Sequence, residues 1–85
     1  MNDINDSRLN TMESLEIAME FAIRDAKSIG LYIEMPGFEY PELIINPWQN
    51  LPKKLEYYKA TYDDNLEHKY SKGIKIIEYT IIERV

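Results

Sequence analysis

The sequence predicts a small single α+β domain of order α-β-β-α-β(-β), a mostly antiparallel sheet of three to four strands with two helices packed on it. Two observations predict this class. Apolar residues recur every three to four positions in two segments, and strand-like runs lie between and after these segments. A chain of 85 residues has room for one core. We expect residues 1–8 to be a flexible tail and residues 9–85 to form the domain.

The first helical pattern runs from about residue 10 to Gly30, which is the expected C-terminal stop. Asn10 or Thr11 is the expected N-cap. The apolar stripe consists of Met12, Leu15, Met19, Ala22, Ala26 and Ile29. Ile17 and Phe21 lie four residues apart on a different face. They are either singly exposed apolar residues or a contact for a second subunit.

Two strand patterns follow the first helix. Residues 31–35, LYIEM, alternate as a half-buried strand does and precede a Pro-Gly turn. Residues 42–46, ELIIN, form a second short pattern between Pro41 and Pro47, because proline donates no ladder hydrogen bond and occurs at strand ends. The two strands can pair as a hairpin with a wide loop.

The second helix is predicted over residues 51–64, with Asn50 as its cap and Pro52 in its first turn. Its inner face is formed by Leu51, Leu55, Tyr58 and Tyr62. The C-terminal run IKIIEYTIIERV has apolar residues on both faces and is predicted to be the central strand. Residues 66–70 are either a fourth strand paired with this run or a loop. Two helices cannot easily cover both sheet faces, which favours a partner such as a second copy.

The chain is acidic, with a net charge of −5, and residues 1–49 carry nine acidic and three basic residues, a net charge of −6. Because an acidic surface repels phosphates, we expect no general nucleic-acid binding. No apolar run approaches the roughly 20 residues of a membrane span, so we expect no membrane partner. The absence of cysteine is compatible with the cytoplasm, which is the expected location.

The sequence predicts no catalytic, cofactor-binding or metal-binding residues, and hence no enzyme. His68 is the single histidine and no cysteine accompanies it. The three glycines do not cluster into a phosphate-binding loop. No serine or threonine lies in a nucleophile motif.

The exposed-aromatic candidates lie around the proline-rich segment. Tyr and Trp suit interfaces because they combine apolar area with a polar tip, and they fill small cores equally well. Trp48 is therefore either a core residue or a contact residue. The predicted candidate interface consists of Ile17, Phe21, Phe38, Tyr40 and Trp48.

The run PELIINPWQNLPKKLEYYKATYDDNLEHK…GIKI resembles small uncharacterised proteins of prophages and mobile elements in low-GC Gram-positive bacteria. The resemblance covers roughly residues 38–76 and implies a setting, without an activity or site residues. Three hypotheses about function remain. A small enzyme of unrecognised type is the least favoured of them. The others are a self-associating, non-catalytic protein-interaction module and an acidic regulator or inhibitor of a host nucleic-acid-binding enzyme.

Overall fold

The elements follow the predicted order in the computed structural model, which describes residues 7–83. They are α1 (Met12–Arg24), β1 (Ser28–Glu34), β2 (Glu42–Asn46), a 3-10 turn (Trp48–Asn50), α2 (Leu51–Thr61) and β3 (Lys75–Ile82). The strands form an antiparallel sheet in the order β2-β1-β3, and both helices pack on one of its faces. The α+β class and the α-β-β-α-β order are confirmed.

α1 begins with a capping box centred on Thr11. The Ser14 N–H donates to Thr11 Oγ1 at 3.2 Å, and the Thr11 N–H donates to Ser14 Oγ at 3.3 Å. These bonds satisfy backbone donors that the first turn of a helix leaves unpaired. Of the two predicted caps, Thr11 is therefore the one that the chain uses.

The prediction that α1 extends to Gly30 is wrong, because the helix ends at Arg24 in a left-handed turn. Ala26 has a φ of 55°. The Lys27 N–H donates to the Ala22 carbonyl at 2.9 Å, and the Ala26 N–H donates to the Ile23 carbonyl at 3.2 Å. This is the bonding of a Schellman motif, with alanine at the position that glycine usually occupies. The turn frees the following residues to pair as β1.

The core lies between β1 and the two helices. Ile29, Leu31 and Ile33 project from β1 towards the helices and are buried. They pack against Leu15 and Met19 of α1, along with other buried side chains of both helices. Gly30 lies within β1 and alternates with these residues, so it faces away from the helices.

The predicted central position of the C-terminal strand is also wrong, because β1 is central and β3 lies at one side. A bulge explains the misleading pattern. Tyr32 opposes Glu78 and Ile33 opposes Ile76, so Ile77 is an extra residue on β3. The bulge shifts the alternation and places Ile76 on the same side as Tyr79 and Ile81, towards the helices.

The outer edge of β3 is covered at two points. The Leu9 N–H donates to the Ile77 carbonyl at 2.9 Å, and the Tyr79 N–H donates to the Ser7 carbonyl at 3.0 Å. Ser7 and Arg8, the last residues of the predicted tail, thus lie alongside β3, while residues 1–6 fall outside the described part of the chain. Residues 66–70 contribute isolated bridges at Glu67 and His68 rather than a fourth strand.

The left-handed turn after α1 generates the first prediction. We expect Ala26→Gly to raise the free energy of unfolding by about 0.5–1 kcal/mol, because a side chain at positive φ is strained and glycine is not. Guanidinium denaturation of both proteins measures the difference.

The matched control is Ala60→Gly in the last turn of α2, where the backbone is right-handed and the same change lowers stability by up to about 1 kcal/mol. If Ala26→Gly were as destabilising as this control, the left-handed turn would not be present in solution.

Candidate interaction surface

The sheet face opposite the helices is open and apolar. Cross-strand register places Leu43 beside Tyr32, and both Ile45 and Thr80 beside Gly30. Leu43 is 42% exposed and Ile45 is 50% exposed. We call this surface the open face, and its apolar part consists of Gly30, Tyr32, Leu43, Ile45, Thr80 and Ile82.

Gly30 makes the open face continuous. A Cβ atom at this position would lie 2.9 Å from Leu43 Cδ1, 3.1 Å from Thr80 Cγ2 and 3.5 Å from Ile45 Cδ1. These methyl groups therefore converge from the two outer strands over the glycine backbone. The result is one shallow apolar surface that spans all three strands.

The charged side chains of the open face lie in two adjacent cross-strand rows, those of Tyr32 and Glu34. Glu34 and Lys75 oppose each other across β1 and β3, and Glu78 lies beside Tyr32. The rows that contain Gly30 and Ser28 carry no charged side chain on this face. The centre of the open face is thus suited to apolar contact, with mixed charge at its border.

The five predicted interface residues lie in three separate places. Ile17 and Phe21 border a groove of about 450 Å³ on the side of α1, together with Leu9, Ala18 and Tyr79. Phe38 and Tyr40 are exposed in the loop between β1 and β2. Trp48 follows β2, at the opposite end of that strand from Tyr40.

Trp48 borders the open face. Its backbone N–H donates to Ser28 Oγ at 3.0 Å. Ser28 lies two residues before Gly30 in β1, so both residues are on the open face. Trp48 is 41% exposed, so it is not a core residue. The sequence prediction did not include Leu43 and Ile45, because the alternation within ELIIN places them on one face of the strand without showing which face points away from the helices.

A buried polar pair fixes α2 on the edge strand β2. The Tyr58 hydroxyl donates to Asn46 Oδ1 at 3.2 Å, and Asn46 Nδ2 donates to the Ile44 carbonyl at 3.4 Å. Asn46 is fully buried, so these bonds replace water for its amide. Burial raises the pKa of Tyr58 above its usual value.

The other notable polar groups have structural contacts. The His68 ring lies edge-on to Tyr62, with ring centroids 5.0 Å apart, and its Nδ1 accepts from the Tyr70 N–H at 3.0 Å. Lys59 Nζ lies 2.6 Å from Glu16 Oε2, which joins α2 to α1 and raises the pKa of the lysine. Among residues 7–83, no three His, Cys, Asp or Glu side chains are grouped as metal ligands would be.

Within the described part of the chain, neither helix has the length and apolar character needed to cross a lipid bilayer. Compared with protein-family models, curated proteins and solved structures, the chain matches none of them.

The buried tyrosines generate a pH prediction. Burial raises the pKa of Tyr62 to about 12, whereas in the unfolded chain it is about 10. The folded state therefore holds this proton more tightly. Its contribution to stability is complete below pH 10 and falls as the pH rises from about 10 to 12. We expect Tyr62→Phe to reduce the slope of stability against pH in this range, measured by denaturant titration at several pH values.

Tyr70→Phe is the control, because Tyr70 is exposed and its removal should leave that slope unchanged. If stability depended on pH equally in the wild type and in Tyr62→Phe, Tyr62 would be solvated in the folded protein.

Proposed function

We propose that the chain is a non-catalytic protein-interaction module and that the open face is its contact surface. One observation carries the proposal: Leu43 and Ile45 stand exposed on a continuous apolar surface that no other segment of residues 7–83 covers. The largest exposed apolar patch of an ordinary monomer covers about 300–600 Å² and is often functional. The polar side chains of Asn46, His68 and Lys59 are engaged in structural contacts, which also supports a non-catalytic role.

The size of the open face favours a small contact element. Three strands about 4.8 Å apart and roughly 20 Å long give an area of roughly 300 Å². A standard interface buries about 800 Å² on each side, so this face alone is small for the packing of a second folded domain. A single amphipathic helix has a matching width of about 10 Å.

The same sheet already binds helices on its other face. Its other face is already covered by α1 and α2, which place aliphatic side chains on Ile29, Leu31 and Ile33. We therefore propose that the partner is a protein that presents an amphipathic helix with an aliphatic stripe. The uncharged rows of Gly30 and Ser28 suit this stripe, and the mixed charge lies in the neighbouring rows of Tyr32 and Glu34.

We further propose that the module acts in the cytoplasm, in the prophage or mobile-element setting that the resemblance implies. The net charge of −5 supports a protein partner rather than nucleic acid, and we propose no membrane partner. The alternative of an acidic inhibitor has less support, because Lys59 pairs with Glu16, one of the α1 carboxylates that such mimicry would use.

The open face generates the third prediction. We expect Leu43→Lys/Ile45→Lys to abolish capture of a partner protein that tagged wild type retains from extracts of the organism that encodes the chain. The two lysines place charge on the apolar centre, where its desolvation is costly. We expect the wild-type complex to survive about 0.5 M NaCl, because an apolar contact is not screened.

The control is Tyr57→Lys/Tyr70→Lys, which adds the same charge at exposed positions outside the open face. It should capture the partner as the wild type does. Equal capture by both double variants would contradict the proposal, and release of the partner at moderate salt would favour the acidic regulator instead.

A further inference from the structure

α1 presents a second exposed surface on its outer side. Ile17 is 63% exposed and Phe21 is 39% exposed, and they lie one helical turn apart. Glu13 precedes them in the first turn and Arg24 follows them in the last turn. We call Glu13, Ile17, Phe21 and Arg24 the outer stripe, and its spacings of four, four and three residues keep it on one side of the helix.

The outer stripe is complementary to itself when two copies of α1 run antiparallel. A two-fold axis at the level of Met19 places Ile17 of each copy against Phe21 of the other. The same axis brings Glu13 of each copy to within one residue, or about 1.5 Å along the helix, of Arg24 of the other, so two opposite-charge pairs flank an apolar centre. Antiparallel helices also place the positive end of each dipole beside the negative end of the other.

We infer that a second copy of this chain docks on the outer stripe through an antiparallel α1–α1 contact. The geometry of Arg24 supports this. Its Cζ lies 5.6 Å from the centroid of the Phe21 ring, so the guanidinium is already placed beside the apolar centre. Within its own chain its contact with Asp25 is long, 3.7 Å between Nε and Oδ1, and the Arg24 side chain is largely exposed.

The size of the contact indicates a weak dimer. α1 has 13 residues, or about 20 Å of helix, and offers much less than the roughly 800 Å² per partner of a standard interface. We expect a dissociation constant of about 0.1–1 mM, so the protein should be monomeric at a concentration of about 1 µM. This inference goes beyond the proposed function and uses a different surface, because the outer stripe and the open face lie on opposite sides of the sheet.

A charge swap generates the fourth prediction. Glu13→Arg alone and Arg24→Glu alone each convert two attractive pairs of the dimer into two repulsive pairs, so each should weaken self-association by about tenfold or more. The double variant Glu13→Arg/Arg24→Glu restores opposite charges across the two-fold axis and the net charge of −5, and it should dimerise as the wild type does. Sedimentation velocity over a dilution series from about 1 µM to 1 mM measures this.

Glu56→Arg on α2 is the matched control, because it changes the net charge as Glu13→Arg does at an exposed position away from the outer stripe. It should not weaken association, and circular dichroism should show that every variant is folded. A wild type that stays monomeric to 1 mM, or a folded double variant that fails to recover, would overturn the inference. Leu43→Lys/Ile45→Lys should dimerise normally, so failure of this inference and failure of the proposed function give different results.

Discussion

The rest of the structure depends on the double pairing of β1. This strand bonds to β2 along one edge and to β3 along the other, and its Ile29, Leu31 and Ile33 form the floor of the core. β1 can begin at Ser28 only because α1 has already ended at Arg24. The left-handed conformation of Ala26 has a cost, which the two ladders of β1 and its buried side chains offset.

The helices of residues 7–83 cover only one face of the sheet. Two helices of 13 and 11 residues cover one side of three strands, and the segments 7–9 and 66–68 cover the edge of β3 rather than the second face. A small domain buries a limited fraction of its surface, so apolar residues such as Leu43 and Ile45 stay accessible. A partner that covers them would complete a three-layer arrangement of helix, sheet and helix.

The two exposed surfaces differ in how they are held. The open face rests on the sheet, and the Tyr58–Asn46 hydrogen bond ties its edge strand β2 to α2. The outer stripe rests on α1, which the Glu16–Lys59 pair joins to the same α2. α2 therefore supports both surfaces, although its own exposed side chains belong to neither.

The sequence by itself determined the α+β class, the order of elements, the bounds of β2 and the start of α2, because local periodicity, caps and prolines act within a few residues. It also identified Ile17, Phe21, Phe38, Tyr40 and Trp48 as candidate interface residues, but it left open whether Trp48 belongs to the core. Only the tertiary structure decided that α1 ends at Arg24, that β1 is central and that Leu43, Ile45 and Gly30 form one surface. These features depend on pairing between distant segments and on a bulge at Ile77, and strand register is set by long-range contacts rather than by neighbouring residues.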